Sequence, residues 1–316
     1  MNNITALKGT FFGLSSNEAS FKKRGFNKTE HRTQAHLESI GETFIKGYNT
    51  ALTTTDLENL KDTLDKLDPA ICGFGYEGAA MALSLMDRIT FSHNTRFNNF
   101  LHGPGKTHKY MLHVGAGWAM ARLPWGAKQH LESLDPLLCW LALDGYGFHE
   151  GYFHWKKYIT QKRHPRQFKN YALRAFDQGL GRSLWFVKGA QPIIVAETIR
   201  HFEESRQSDL WSGIGLASTY AGGVSIEDIR YIKNAAGHFQ KSLMQGASFA
   251  AKARQLAKNM TVHTEMACMV YMGISASQAA SLCDIAEIDL PQDENEPAYE
   301  IWRQRIQALA AQREVA

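Results

Sequence analysis

Two histidines and three carboxylates have the types and surroundings for chemistry: Glu77, His113, His149, Glu150 and Asp177. Carboxylates and imidazoles exchange protons near neutral pH and bind first-row metals, so these candidate catalytic residues suit general acid–base work or metal ligation. His113, His149 and Glu150 are the candidate metal ligands, and iron or another redox metal is the cofactor such a set would hold. Tyr76, Trp118, Tyr152 and Trp211 would wall a substrate groove, with Gln178 as a polar contact.

Several better-known motifs fail on spacing. The string His149-Glu-Gly-Tyr-Phe-His154 places its second histidine at i+5, about 140° around a helix from the first, whereas a zinc hydrolase helix needs i+4. His113-Val-Gly-Ala-Gly-Trp and Gly179-Leu-Gly-Arg carry alternate glycines, yet neither completes a dinucleotide fingerprint within a βαβ unit. Neither a P-loop nor a G-x-S-x-G elbow occurs. His263 reads as a core histidine in an apolar helix. Lys156, Lys157, Lys162, Arg163, Arg166, Lys169 and Arg174 form a basic stretch that is either a solvated face or a dock for an acidic partner such as a carrier protein.

The elements that must position these groups are helices. Leu37, Ile40, Phe44, Ile45, Tyr48 and Leu52 recur at helical spacing, and Leu57, Leu60, Leu64 and Leu67 repeat the pattern before Pro69. Seven segments then share a glycine flanked by small residues and followed by an apolar stripe, at Gly78, Gly115, Gly151, Gly179, Gly213, Gly246 and Gly273. Intervals of 37, 36, 28, 34, 33 and 27 residues match two short helices and two turns. Glycine inside a helix costs about 1 kcal/mol against alanine, so its recurrence implies close approach of neighbouring backbones. The expected fold is therefore all-α, an array of helical hairpins of the α-solenoid or layered α/α kind.

Equivalent glycines would align the residues before them. One column would read Glu77, Val114, Glu150, Gln178, Ser212, Gln245 and Met272, and the position before it Tyr76, His113, His149, Asp177, Trp211, Met244 and Tyr271. Such a column is expected to line one groove.

Composition fits a globular protein: 44% apolar and 21% charged residues, and a net charge of +4 too small to argue for nucleic acid. The dispersed Cys72, Cys139, Cys268 and Cys283 have no ligand spacing and read as buried thiols. The N-terminus lacks a secretion signal's apolar stretch and no run reaches the roughly 20 apolar residues of a spanning helix, which points to a cytoplasmic protein. Residues 1–35 read as a polar, partly ordered lead-in, 36–283 as the helical-repeat domain, 284–298 as an acidic linker and 299–316 as a capping helix.

The strings FGYEGAAMALSLMD, HVGAGWAMARLP, LDPLLCWLALDGYGFHEGYFH, FDQGLGRSLWFV, DLWSGIGLASTYAGG, HTEMAC and YEIWR resemble the UnbL family of enediyne biosynthesis proteins, from Phe21 to Ile306. The resemblance implies an accessory role beside an iterative polyketide synthase and two further accessory proteins, acting on a linear conjugated polyene. It carries no established catalytic residues. Oxidative desaturation towards alkyne units is one expected activity, for which no side chain supplies the oxidant. The alternative is a non-catalytic scaffold that binds the polyene, the carrier domain or partner proteins.

Overall fold

Helix boundaries follow from local chemistry. Ser225 and Asp228 form a reciprocal capping box at one N-terminus, as do Ser275 and Gln278 at another, and Gly273 ends the helix between them in the left-handed conformation (φ 69°). A computed structural model describes residues 12–90, 92, 95–123, 125, 127–293 and 296–314. The α-helices are α1 Phe21–Arg24, α2 His31–Thr53, α3 Leu57–Leu64, α4 Cys72–Ile89, α5 Thr95–His102, α6 Lys109–Arg122, α7 Ala127–Glu132 and α8 Cys139–Phe153. They continue as α9 Tyr171–Val187, α10 Pro192–Arg200, α11 Glu204–Tyr220, α12 Ile226–Ala236, α13 Gln240–Ala257, α14 Val262–Met272, α15 Ala276–Glu287 and α16 Ala298–Glu314. Among the described residues there is no strand, and the fold is all-α. No single described helix is long and apolar enough to cross a membrane, although α14 and α15, bent by 68°, meet that composition test as a pair.

The chain divides into two units: Met1–Gly25 with Ala35–Tyr146, and Phe26–Gln34 with Gly147–Ala316. In the second unit α9, α11, α13 and α15 pack successively as an inner row, while α10, α12 and α14 pack successively as an outer row. Each outer helix packs on the inner helix that follows it, α10 on α11, α12 on α13 and α14 on α15. Residues 36–283 thus span parts of both units, and α16 belongs to the second, packing on α13 and α15.

Glycines set the spacing of the inner helices. A Cβ added at Gly115 would lie 2.1 Å from the Glu77 carbonyl oxygen, at Gly145 2.0 Å from that of Val114, at Gly213 2.1 Å from that of Gln178, and at Gly246 1.9 Å from that of Ser212. The glycine two residues later faces the other neighbour: Gly117 meets the Ala142 carbonyl at 1.9 Å, Gly147 that of Phe176 at 2.1 Å, Gly181 that of Leu210 at 2.2 Å and Gly215 that of Leu243 at 2.0 Å. Positions two apart point about 200° apart on a helix. The alternate-glycine pairs Gly115/Gly117 and Gly213/Gly215 therefore let two neighbours approach on opposite sides, a packing role that needs no nucleotide.

This register corrects two of the seven glycines expected from the sequence. Gly145, not Gly151, is equivalent to Gly115, so buried Asp144 takes the position assigned to Glu150. Gly151 instead packs against the Ser183 side chain, and Gly273 is a helix cap where an added Cβ would meet nothing within 4 Å.

The first unit buries His108, His113 and His130. Burial pushes His113 below its ordinary pKa, His108 down to about 4 and His130 down to about 3; Arg88 and His113 add to the His130 shift. The unfolded chain takes up these protons below about pH 6.5 and the folded one does not, so stability is complete above that value and falls as pH drops towards 4. Urea unfolding at pH 7.5 and 5.0 should show this loss, at about 1.4 kcal/mol per pH unit for each histidine involved. The variant His108→Phe should show a shallower dependence.

Candidate functional site

In the first unit the expected site residues are core groups with local partners. Glu77 is fully buried. Tyr76 donates to Asp65 Oδ1 at 2.6 Å and stacks on His108 at 3.8 Å between centroids; burial and then the Asp65 bond raise its pKa. His113 donates from Nδ1 to the Lys109 carbonyl at 2.7 Å and meets Phe97 edge-on, while Trp118 packs on Phe44 at 4.4 Å.

In the second unit Tyr152 packs edge-on against Phe26 at 4.9 Å and Trp211 is buried. Gln178 Nε2 donates to the Tyr299 hydroxyl at 3.3 Å, Ser212 Oγ to Gln245 Oε1 at 2.7 Å, and Arg303 Nε to that same oxygen at 3.1 Å. The polar column here is thus closed over by α16 and is an internal network, not an open groove. Arg303 also pairs with Asp209 at 2.8 Å and Glu300 at 3.0 Å, and Arg174 bonds both carboxylates. The sequence showed the string YEIWR without showing that its Tyr299, Glu300 and Arg303 complete this network.

His149, Glu150 and Asp177 lead to a different place, the 156–170 segment that joins α8 to α9. His149 Nδ1 lies 3.0 Å from Glu150 Oε1, and His154 Nε2 approaches that oxygen at 4.0 Å. Burial raises the Glu150 pKa, but the His149 bond and charge, the His154 charge and a hydrogen bond from Tyr158 hold the carboxyl below its usual range. Asp177 is engaged from two directions. Arg206 grips it through Nε at 2.8 Å and Nη2 at 2.5 Å, and His164 Nε2 stands 3.6 Å away. Arg206 Nη1 then donates to the Lys162 carbonyl at 2.7 Å.

Both carboxylates therefore anchor one segment from behind. It begins as a π-helical turn, Lys156–Thr160, and its Lys162 and Asn170 have φ of 53° and 52°, which non-glycine residues adopt only when surroundings impose it. Tyr158 and Pro165 are buried while Arg163, His164 and Arg166 are exposed, so the segment turns its apolar members in and its cations out. Lys157, Tyr158, Arg163, His164, Arg166 and Gln167 line a cleft of about 730 Å³. Three cations of the basic stretch seen in the sequence, Lys157, Arg163 and Arg166, thus share this concave surface, while Arg174 pairs with Asp209 and Glu300.

His154, Tyr158, His164 and Arg206 were not anticipated. One signal existed for His154, which lies at i+4 from Glu150 although at i+5 from His149. Among the described residues no group of three or more His, Cys, Asp or Glu side chains could hold a metal ion, so His113, His149 and Glu150 do not form the ligand set expected from their types. Glu150 Oε1 is instead engaged by His149 at 3.0 Å and approached by His154 at 4.0 Å.

A family model described as a protein of unknown function (DUF1702) matches residues 3–310. The chain belongs to that family. The DUF1702 match spans the basic cleft, the Glu150 and Asp177 anchors and the Arg303 network. No curated protein and no solved structure matches the chain.

Proposed function

We propose that this protein serves polyene natural-product assembly as a non-catalytic partner that docks an acidic acyl carrier domain of an iterative polyketide synthase. The observation that carries the reading is the cleft itself: Lys157, Arg163, His164 and Arg166 converge on one concavity whose inner carboxylates are engaged by other groups. Clustered cations on a pre-shaped surface attract and orient an anionic partner. The likeness to enediyne accessory proteins supports the pathway.

The test is calorimetric titration of the whole protein with the carrier domain. Arg163 and Arg166 are exposed, so the double variant Arg163→Glu/Arg166→Glu should keep its melting temperature. It should bind the carrier at least about ten-fold more weakly, and raised salt should weaken the wild type similarly. Equal affinity of wild type and variant would refute the docking role.

One observation favours a catalytic second reading. His149, His154 and Tyr158 surround the Glu150 carboxylate, an arrangement able to move a proton. Under that reading the reaction would pass through Glu150, and Glu150→Gln would abolish it while leaving carrier binding unchanged.

A further inference from the structure

We infer that the cleft receives the phosphate ester at the root of a carrier domain's flexible thiol-bearing arm; this rests on the docking reading and names the group that the surface takes. A carrier's acidic side chains alone would need cations spread over a face. Here three permanent cations, Lys157, Arg163 and Arg166, share one cleft of about 730 Å³ with His164 and Gln167, a size suited to part of a small molecule. Guanidinium groups match phosphate oxygens through paired N–H donors, which a lone ammonium does not do.

The charge balance points outward. Among the described residues neither Lys157, Arg163 nor Arg166 is ion-paired. Asp177 is neutralised by the bidentate grip of Arg206, and Glu150 is engaged by His149, His154 and Tyr158. An anion entering the cleft therefore meets cations whose nearest buried carboxylates already have partners.

Rigidity and lining support the same ligand. Arg206 fixes the Lys162 carbonyl, Tyr158 is buried and bonded to Glu150, and the Phe168 amide donates to the Pro165 carbonyl, so the turn carrying Arg166 and Gln167 is built before binding. The Lys157 ammonium sits 4.6 Å from the Tyr158 ring centroid, giving the cleft a cationic wall over an aromatic floor. Phosphate followed by methyl-bearing carbon, the start of such an arm, offers the complementary order of charge and apolar surface.

The experiment titrates the full chain with four probes: pantetheine 4′-phosphate, pantetheine, and the carrier domain with and without its arm. Pantetheine 4′-phosphate should bind at least about ten-fold more tightly than pantetheine, and the armed carrier at least about ten-fold more tightly than the unarmed one. Arg163→Gln/Arg166→Gln should abolish both differences at unchanged melting temperature. Equal affinity of armed and unarmed carrier, with no competition from pantetheine 4′-phosphate, would overturn the arm assignment and leave docking intact. Competition by inorganic phosphate as strong as by pantetheine 4′-phosphate would also overturn it. Failure of either carrier form to bind would overturn docking as well.

Discussion

Gly246→Ala should lower the melting temperature by about 5–10 °C, a large effect for one methyl group. The added Cβ would lie 1.9 Å from the Ser212 carbonyl oxygen and 2.8 Å from the Leu216 amide nitrogen, both backbone atoms of α11. No rotamer change relieves a collision between backbones, so α11 and α13 must move apart and loosen the core beside them. Overpacking of this kind costs about 1–3 kcal/mol and sometimes more, and each kcal/mol lowers the melting temperature by about 2–4 °C in a domain of this size. Gly213→Ala should behave alike, since its Cβ meets the Gln178 carbonyl at 2.1 Å. Gly273→Ala separates space from backbone conformation: nothing lies within 4 Å of its Cβ, but φ is +69°, so only the cost of about 1–2 kcal/mol for a left-handed alanine is expected. Scanning calorimetry on the three variants checks the ranking. Equal, small losses throughout would mean that the inner helices are not in backbone contact.

Replacing Arg303 should destabilise the second unit still more. Its guanidinium is fully buried between Asp209 at 2.8 Å, Glu300 at 3.0 Å and Gln245 at 3.1 Å, with Tyr171 at 3.1 Å. Arg303→Leu removes one of the two arginines that bind Asp209 and Glu300, leaving Arg174 on both, with Tyr171 and Gln304 still donating to Glu300. Breaking a buried ion pair from one side typically costs about 3–5 kcal/mol, because the remaining charge stays desolvated. The Glu300 carboxyl provides a pH signature. Burial raises its pKa, but Arg303 and Arg174 outweigh this and hold it below the ordinary 4.5. A carboxyl depressed on folding contributes stability that is present above pH 4.5 and lost as pH falls through the lower, folded value. Urea unfolding should therefore show a weaker acid dependence in Arg303→Leu than in the wild type over that range. An unchanged midpoint in the variant would show that α16 does not lock the inner row.

The glycine rhythm was legible because helix contact leaves a mark at fixed spacing, and the all-α architecture followed from it. Its register was only partly legible. Gly151 and Gly273 stand at similar intervals to the true contact glycines, and intervals alone cannot separate a glycine facing a backbone from one facing a serine or ending a helix. That slip placed Glu150 in the column that Asp144 occupies. The basic stretch was legible as charge, but its concavity depends on the strained backbone at Lys162 and Asn170 and on Arg206, which lies 29 residues from its partner Asp177. Pairings at such separation have no local signal. The acid–base residues were named by chemical type, which carries no sign of the structural task of Glu150 and Asp177, bracing the cleft from behind.

The most direct measurement of the proposed docking role reconstitutes an enediyne-type iterative polyketide synthase with this protein and the two accessory proteins that the resemblance implies, and follows the polyene by chromatography. Omitting the chain should stop conversion, and adding back wild type or Glu150→Gln should restore it, since a glutamine oxygen can still accept the Tyr158 hydrogen bond. Adding back Arg163→Glu/Arg166→Glu should fail. Restoration by the charge-reversed protein together with failure of Glu150→Gln would contradict the docking account and place chemistry at the Glu150 cluster.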